Sequence, residues 1–166
     1  MDFLVGSTIQ KNVQNSLGQY ATGFTSDALI PNVSAASLVV VFGSSSSVYR
    51  YNALFGRLNY NWLDKYIINV TARRDGSSRF GPGKQFGNFG AIGAAWIFSK
   101  EKFIQDNIPL LSFGKLRASY GSSGNDQISD YKYLSTYFPY TASPYQGVIG
   151  FYPTQIANPY FGWELG

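Results

Sequence analysis

Residues 54–81, "LFGRLNYNWLDKYIINVTARRDGSSRFG", separate into two opposed sets when odd and even positions are taken apart. The even set holds Leu54, Gly56, Leu58, Tyr60 and Trp62, and after Asp64 it resumes with Tyr66, Ile68, Val70 and Ala72. The odd set holds Arg57, Asn59 and Asn61, then Asn69, Thr71, Arg73 and Asp75. Successive side chains of a strand point to opposite sides, so this period of two marks strands whose faces meet different surroundings. Two strands are expected here, joined by the tight turn Leu63-Asp64-Lys65. Each has an apolar face rimmed by aromatic rings and a polar face of arginine, asparagine and threonine.

The alternation continues downstream. Ile92, Ala94, Trp96 and Phe98 share one side, opposite Gly87, Ala91, Gly93 and Ala95. Further on, Leu116, Ala118 and Tyr120 oppose Lys115, Arg117 and Ser119. The expected strands are therefore 48–62, 66–74, 88–98 and 113–121, with a weaker one at 131–140 and another opening in the last residues. A short strand is also expected at 3–10. Residues 11–47 carry Ser, Asn, Gly and Thr, a proline at Pro31 and no periodicity. They read as a long loop with a strand around 38–42 and a flexible joint at 43–47. Residues 99–112 have a helical look.

Composition limits the class. Charged residues are 13% of the 166, against roughly 25% in an ordinary soluble domain. Aromatics are 17%, yet mean hydropathy is only −0.11, so uncharged polar residues balance the apolar ones. Such a balance fits a membrane β-barrel wall, where lipid-facing and lumen-facing residues cancel. It also fits a soluble secreted all-β carbohydrate-binding domain with surface tyrosines. A soluble sandwich should carry Lys and Glu on its outer face, whereas here that face holds mainly Asn, Ser, Thr and Arg. This favours the barrel. Aromatics near strand ends (Tyr60, Trp62, Tyr66, Trp96, Phe98) match an interfacial girdle. Short periplasmic and longer external connections would put the Asp64 turn and the Lys100 segment on the periplasmic side, with the Gly81 and Asn125 loops outside.

Other classes lack their residues. A net charge of +4 without a basic stripe argues against nucleic-acid binding. No Cys and no His removes the usual metal ligands, thiol nucleophiles and proton shuttles. "GPGKQFG" at 81–87 fails as a phosphate loop because Gln85 follows Lys84 where Ser or Thr is needed. Asp126 and Asp130 read as members of a solvated loop, too sparse for a hard cation. No enzyme and no cofactor are expected. The first ten residues are not a signal peptide, and no run of about 18 apolar residues exists for a membrane-crossing helix.

Several motifs carry a closer likeness. "FGRLNY", "RRDGSSRFG", "LRASYG" followed by "GN", and the closing "NPYFGWE" resemble, in that order, the barrel of SusC/RagA-type TonB-linked outer-membrane transporters. The likeness is strong over 53–137 and returns at 158–164. It implies an all-β fold: an antiparallel transmembrane β-barrel segment of about five to seven strands within a barrel of roughly 22. Residues 1–166 would be a partial barrel domain without the plug, and 11–47 a long external loop. It further implies import of oligosaccharides or peptides across the outer membrane of a Gram-negative cell. The implied partners are the TonB system, a SusD-like surface lipoprotein, the glycan or peptide substrate and outer-membrane lipid. On this reading the even face meets lipid. The odd face lines the lumen through Arg57, Asn59, Asn61, Asn69, Thr71, Arg73, Lys115 and Arg117, which are expected to pair with one another or with the plug more than with cargo.

Overall fold

The computed structural model describes residues 1–166. Five strands form one sheet in chain order: β1 (Asp2–Thr22), β2 (Leu38–Trp62), β3 (Tyr66–Ser77), β4 (Phe86–Trp96) and β5 (Leu116–Gly121). Two short pairs complete the strands: β6 (Gly124–Asn125) with β9 (Glu164–Leu165), and β7 (Thr136–Tyr145) with β8 (Val148–Gln155). All pairings from β2 to β5 are antiparallel. The one α-helix, α1 (Lys102–Asn107), lies between β4 and β5, where the helical look was expected.

The register joins the even residues into continuous rows. Directly opposed residues of an antiparallel pair project to the same side. Trp62 faces Tyr66, Tyr66 faces Trp96 and Trp96 faces Leu116. The next row is Tyr60, Ile68, Ala94 and Ala118, and the one after it Leu58, Val70, Ile92 and Tyr120. No slip interrupts either, which matters because a shift of one residue would turn a whole strand over. The β2–β3 turn places Leu63 and Asp64 both at φ 53°, and Lys65 N–H donates to the Trp62 carbonyl at 3.1 Å. Consecutive left-handed residues match the twist of a tight hairpin.

Two expectations about chain organisation fail. Residues 11–22 and the expected joint at 43–47 are strand, not loop: β1 runs to Thr22, and β2 starts at Leu38, where a strand was expected, and passes straight through Gly43–Ser47. The stretch 23–37 alone is irregular, with two single-turn 3-10 helices capped by Ser26 and Asn32. Lys11–Tyr49 is a compact unit by itself, made of the neighbouring ends of β1 and β2 rather than a loop. Residues 11–22 mix polar and apolar side chains without a regular period and residues 43–47 are only Gly and Ser, so neither stretch shows an alternation to detect. Second, the weak strand at 131–140 begins only at Thr136, and its partner β8 was not foreseen. In "YFPYTASPYQGVIGFYPTQ" aromatic residues fall on both sides, so no face stands out.

Candidate functional site

The odd residues form equally regular rows. Asn61 opposes Ile67, then come Ala95 and Arg117; Asn59 opposes Asn69, then Gly93 and Ser119; Arg57 opposes Thr71, then Ala91 and Gly121. All of the sequence-derived candidates in β2–β5 thus share one side, and Lys115 precedes β5 on the same side of the pattern. The structure does not gather them into one cluster. Asn69, Lys115 and Arg117 converge on a groove of about 440 Å³ with Ile67, Gly93 and Ser119. Asn61 turns instead to the hairpin, donating to Asp64 at 2.6 Å. Arg73 is engaged elsewhere: its Nε lies 2.9 Å from both Asp75 carboxylate oxygens, and Nη2 donates to the Tyr51 hydroxyl at 2.8 Å.

Arg73 belongs to a second assembly that closes one end of the polar face. The motif "RRDGSSRFG" folds its tail back toward the connection after β5. Arg79 Nε meets Asp130 at 3.0 Å, and Nη1 donates to the Asp126 carbonyl at 3.2 Å. Ser77 Oγ donates to the Asp126 carboxylate at 2.7 Å. Phe80 is fully buried and packs at 5.4 Å from the Trp163 ring, which meets Phe89 edge-on at 5.3 Å. Trp163 Nε1 donates to the Gln85 carbonyl at 3.1 Å, so the half-buried ring has its polar atom satisfied. Phe89 lies so close to Gly87 and Gly124 that any side chain at either position would collide with its ring. The β6–β9 pairing, Gly124 with Leu165 and Asn125 with Glu164, returns the chain to the clamp after the 126–163 excursion.

Asp126 and Asp130 are therefore neither a cation site nor members of a solvated loop, as the sequence suggested. They are the acceptors for Arg79, an arginine 47 to 51 positions away. Sequence reasoning also passed over Asp75, Phe80, Phe89 and Trp163 as working parts. The one available signal was glycine density: Gly76, Gly81, Gly87 and Gly124 mark where rings and backbone approach closely.

The opposite end of the sheet is tied by polar tips of aromatic residues. Glu101 accepts from the Tyr66 hydroxyl at 2.8 Å, Lys65 Nζ at 3.0 Å and Trp96 Nε1 at 3.2 Å. These donors, the Tyr66 hydroxyl first and then Lys65 and Trp96, hold the Glu101 carboxyl below its ordinary range. Trp62 packs on Tyr66 at 5.5 Å and Trp96 on Phe98 at 5.9 Å. Rings with an apolar body and a hydrogen-bonded tip are suited to a membrane–water boundary. From the Trp62 row to the Leu54 row is eight residue steps, or roughly 26 Å along a strand. At a tilt of about 40° this becomes about 20 Å, close to the height of about 25 Å of a barrel's lipid-facing band. At the Leu54 row the even face turns polar: Leu54 opposes Arg74, which opposes Asn88. The Arg74 guanidinium sits over the Phe86 ring at 5.1 Å.

No family model matches the chain. Among curated proteins it is similar to TonB-dependent receptor P39 of Formosa agariphila, 38% identical over 122 residues, covering 74% of this chain and 12% of the relative. It matches TonB-dependent receptor P3 of the same organism at 33% over 165 residues, covering 97% and 16%. TonB-dependent receptor SusC of Bacteroides thetaiotaomicron is 31% identical over 137 residues, covering 82% and 13%. The chain thus spans less than a fifth of each of these relatives. In fold it resembles the RagAB peptide importer in its 'closed-closed' state, with a TM-score of 0.75 at 24% identity over 98% of this chain and 18% of that one. The 'open-open' state of the same importer gives a TM-score of 0.75 at 24% identity, with the same coverage.

Proposed function

We infer, from the premise that this chain belongs to the SusC/RagA-type TonB-dependent transporters and is a segment of their β-barrel, that it forms part of the wall of a nutrient importer in a Gram-negative outer membrane. The even rows face lipid and the odd rows face the lumen. Residues 63–65 and 97–112 lie on the periplasmic side, residues 78–85 and 122–163 outside. Residues 11–47 are an external hairpin. The complete protein takes up oligosaccharides or peptides, driven through TonB and served at the surface by a SusD-like lipoprotein. Arg57, Asn59, Asn61, Asn69, Thr71, Lys115 and Arg117 line the passage, while Arg73 braces it through Asp75. No step of this activity calls for catalysis.

The observation that carries this reading is the register. Across β2 to β5 it aligns one apolar face with a ring-lined edge against one polar face. A soluble domain would bury that apolar face, yet Leu54, Trp62, Ile92 and Leu116 are each more than half exposed. An open apolar surface of this breadth belongs against another apolar phase. The chain contains no cysteine, so only cysteines elsewhere in the full-length protein need replacing by serine before spin labelling. Single cysteines at Val70, Thr71, Ile92 and Ser119, in the full-length protein in liposomes, would carry nitroxides. Labels at 70 and 92 should relax with oxygen, and labels at 71 and 119 with a water-soluble nickel complex. Identical accessibility at neighbouring positions would sink the membrane-wall reading.

A further inference from the structure

We propose that the groove formed by Asn69, Gly93, Lys115, Arg117 and Ser119 is a carboxylate-binding subsite for the cargo, so that the importer favours acidic glycans or acidic peptides over neutral ones. The proposal rests on the lumen assignment above and adds the chemistry of the passenger.

Uncompensated charge marks this groove. Of the basic residues near the two ends of the sheet, Lys65 pairs with Glu101, Arg73 with Asp75, and Arg79 with Asp126 and Asp130, while Arg50, Lys84, Lys100 and Lys102 form no ion pair. Arg74 is placed over a phenylalanine ring. Lys115, Arg117 and Arg57 have no ion pair and no hydrogen bond within the chain. Carboxylates are absent from their rows. Asp75, further along the same face, is already held by Arg73, and Asp64 in the turn accepts from Asn61. The polar face around Arg57, Lys115 and Arg117 therefore carries charge of one sign, and a one-sign surface in a confined space concentrates the opposite ion.

Shape and donors fit the same ligand. Gly93 sits between Asn69 and Ser119 in register, with Ala91 and Ala95 on either side along β4, so the floor is low and the rim is polar. The volume of about 440 Å³ lies within the range of small-ligand sites, about 300–1,000 Å³. An arginine fork grips a carboxylate through two parallel bonds, and a lysine beside it adds a point charge. Asn69 and Ser119 offer neutral donors for adjoining hydroxyl or amide groups. A uronate sugar and an aspartate- or glutamate-bearing peptide present the same carboxylate, so the groove chemistry is common to both.

Two probe pairs separate these sources in the full-length protein in detergent micelles. One is oligogalacturonate against its methyl ester, the other an aspartate-rich pentapeptide against its asparagine counterpart, each titrated by calorimetry. Wild type should bind the acidic member of one pair about tenfold tighter than the neutral member, and the pair that responds identifies the source. The K115Q/R117Q double variant should lose that preference while keeping its affinity for the neutral probe. K115R should retain it. Equal binding of acidic and neutral members in both pairs, or a preference that survives in the double variant, overturns the proposal. So does a double variant whose melting midpoint falls while its affinities stay unchanged, since its charges then hold a carboxylate of the protein itself. The spin-label alternation at positions 70, 71, 92 and 119 is measured independently. Its persistence leaves the barrel reading standing whichever way the probes divide.

Discussion

The clamp and the wall are built on opposite terms. The clamp draws on β2, β3, β4, the β3–β4 connection and the two segments flanking the 126–163 excursion, and it holds nearly all the burial in the chain. Ala53, Asp75, Gly76, Ser77, Phe80, Gly81 and Phe89 are buried there, and Ser99 and Gly114 are buried at the opposite end. The wall, from the Trp62 row to the Gly56 row, buries no large side chain; Ile68, Val70, Ile92 and Leu116 are all exposed. Packed apolar contact within the chain stabilises the first. The second has backbone ladders and needs a surrounding phase to cover its side chains. The difference teaches that this chain carries two kinds of cohesion, one complete in itself and one that, on the proposed barrel-wall reading, the membrane supplies.

Removing the centre of the clamp gives the sharpest contrast. Phe80→Ala deletes a wholly enclosed ring packed on Trp163 and should cost about 3–5 kcal/mol in reversible unfolding of the full-length barrel in liposomes. Ile92→Ala on the wall, facing fluid lipid able to close around the gap, should cost well under half of that. Equal losses would erase the distinction between the two regions.

Charge tests the two faces of the wall itself. Val70→Arg places a cation on the apolar side and should cost roughly 2–4 kcal/mol near the bilayer midplane. Thr71→Arg, one residue on, should stay within about 0.5 kcal/mol and act on uptake instead. Similar penalties at 70 and 71 would break the face assignment.

The hairpin should respond more weakly, and in the favourable direction. Leu63 is 67% exposed and adopts φ 53°, a conformation that costs a leucine about 1–2 kcal/mol and an asparagine less. Leu63→Asn should raise stability by up to about 1 kcal/mol, read from the denaturant midpoint. A lower midpoint would mean that the Leu63 side chain is held by lipid more firmly than its backbone is strained.

The smallest effect concerns acid. The Glu101 carboxyl titrates below its ordinary range in the folded chain, so its contribution to stability is complete above the ordinary carboxylate value. That contribution fades as pH falls through the depressed folded value. Solvent screening keeps it modest. Glu101→Gln should flatten the acid limb of a stability-against-pH curve, and an unchanged limb would show that the Tyr66, Lys65 and Trp96 donors do not favour the ionised form.

By itself the sequence determined the strand pattern, the two faces and the tight turn. Each follows from neighbours one to four positions apart, and period two is a local property of the backbone. It also grouped the candidates of the polar face as a class, because alternation assigns every second residue to one side. Only the tertiary structure decided which of them are engaged. Arg73 looks like Arg57 in sequence, but Asp75 and Tyr51 hold it, while Lys115 and Arg117 stay unmatched over a glycine floor. Arg79 with Asp126 and Asp130, and Phe80 with Trp163, join positions about 50 to 80 residues apart, and no periodicity connects such distances. The strand over residues 11–22, the continuation of β2 through 43–47 and the strand β8 were hidden for a different reason. Polar, small or aromatic residues fall on both sides there, so cross-strand hydrogen bonding made them strands without any contrast between faces to announce it.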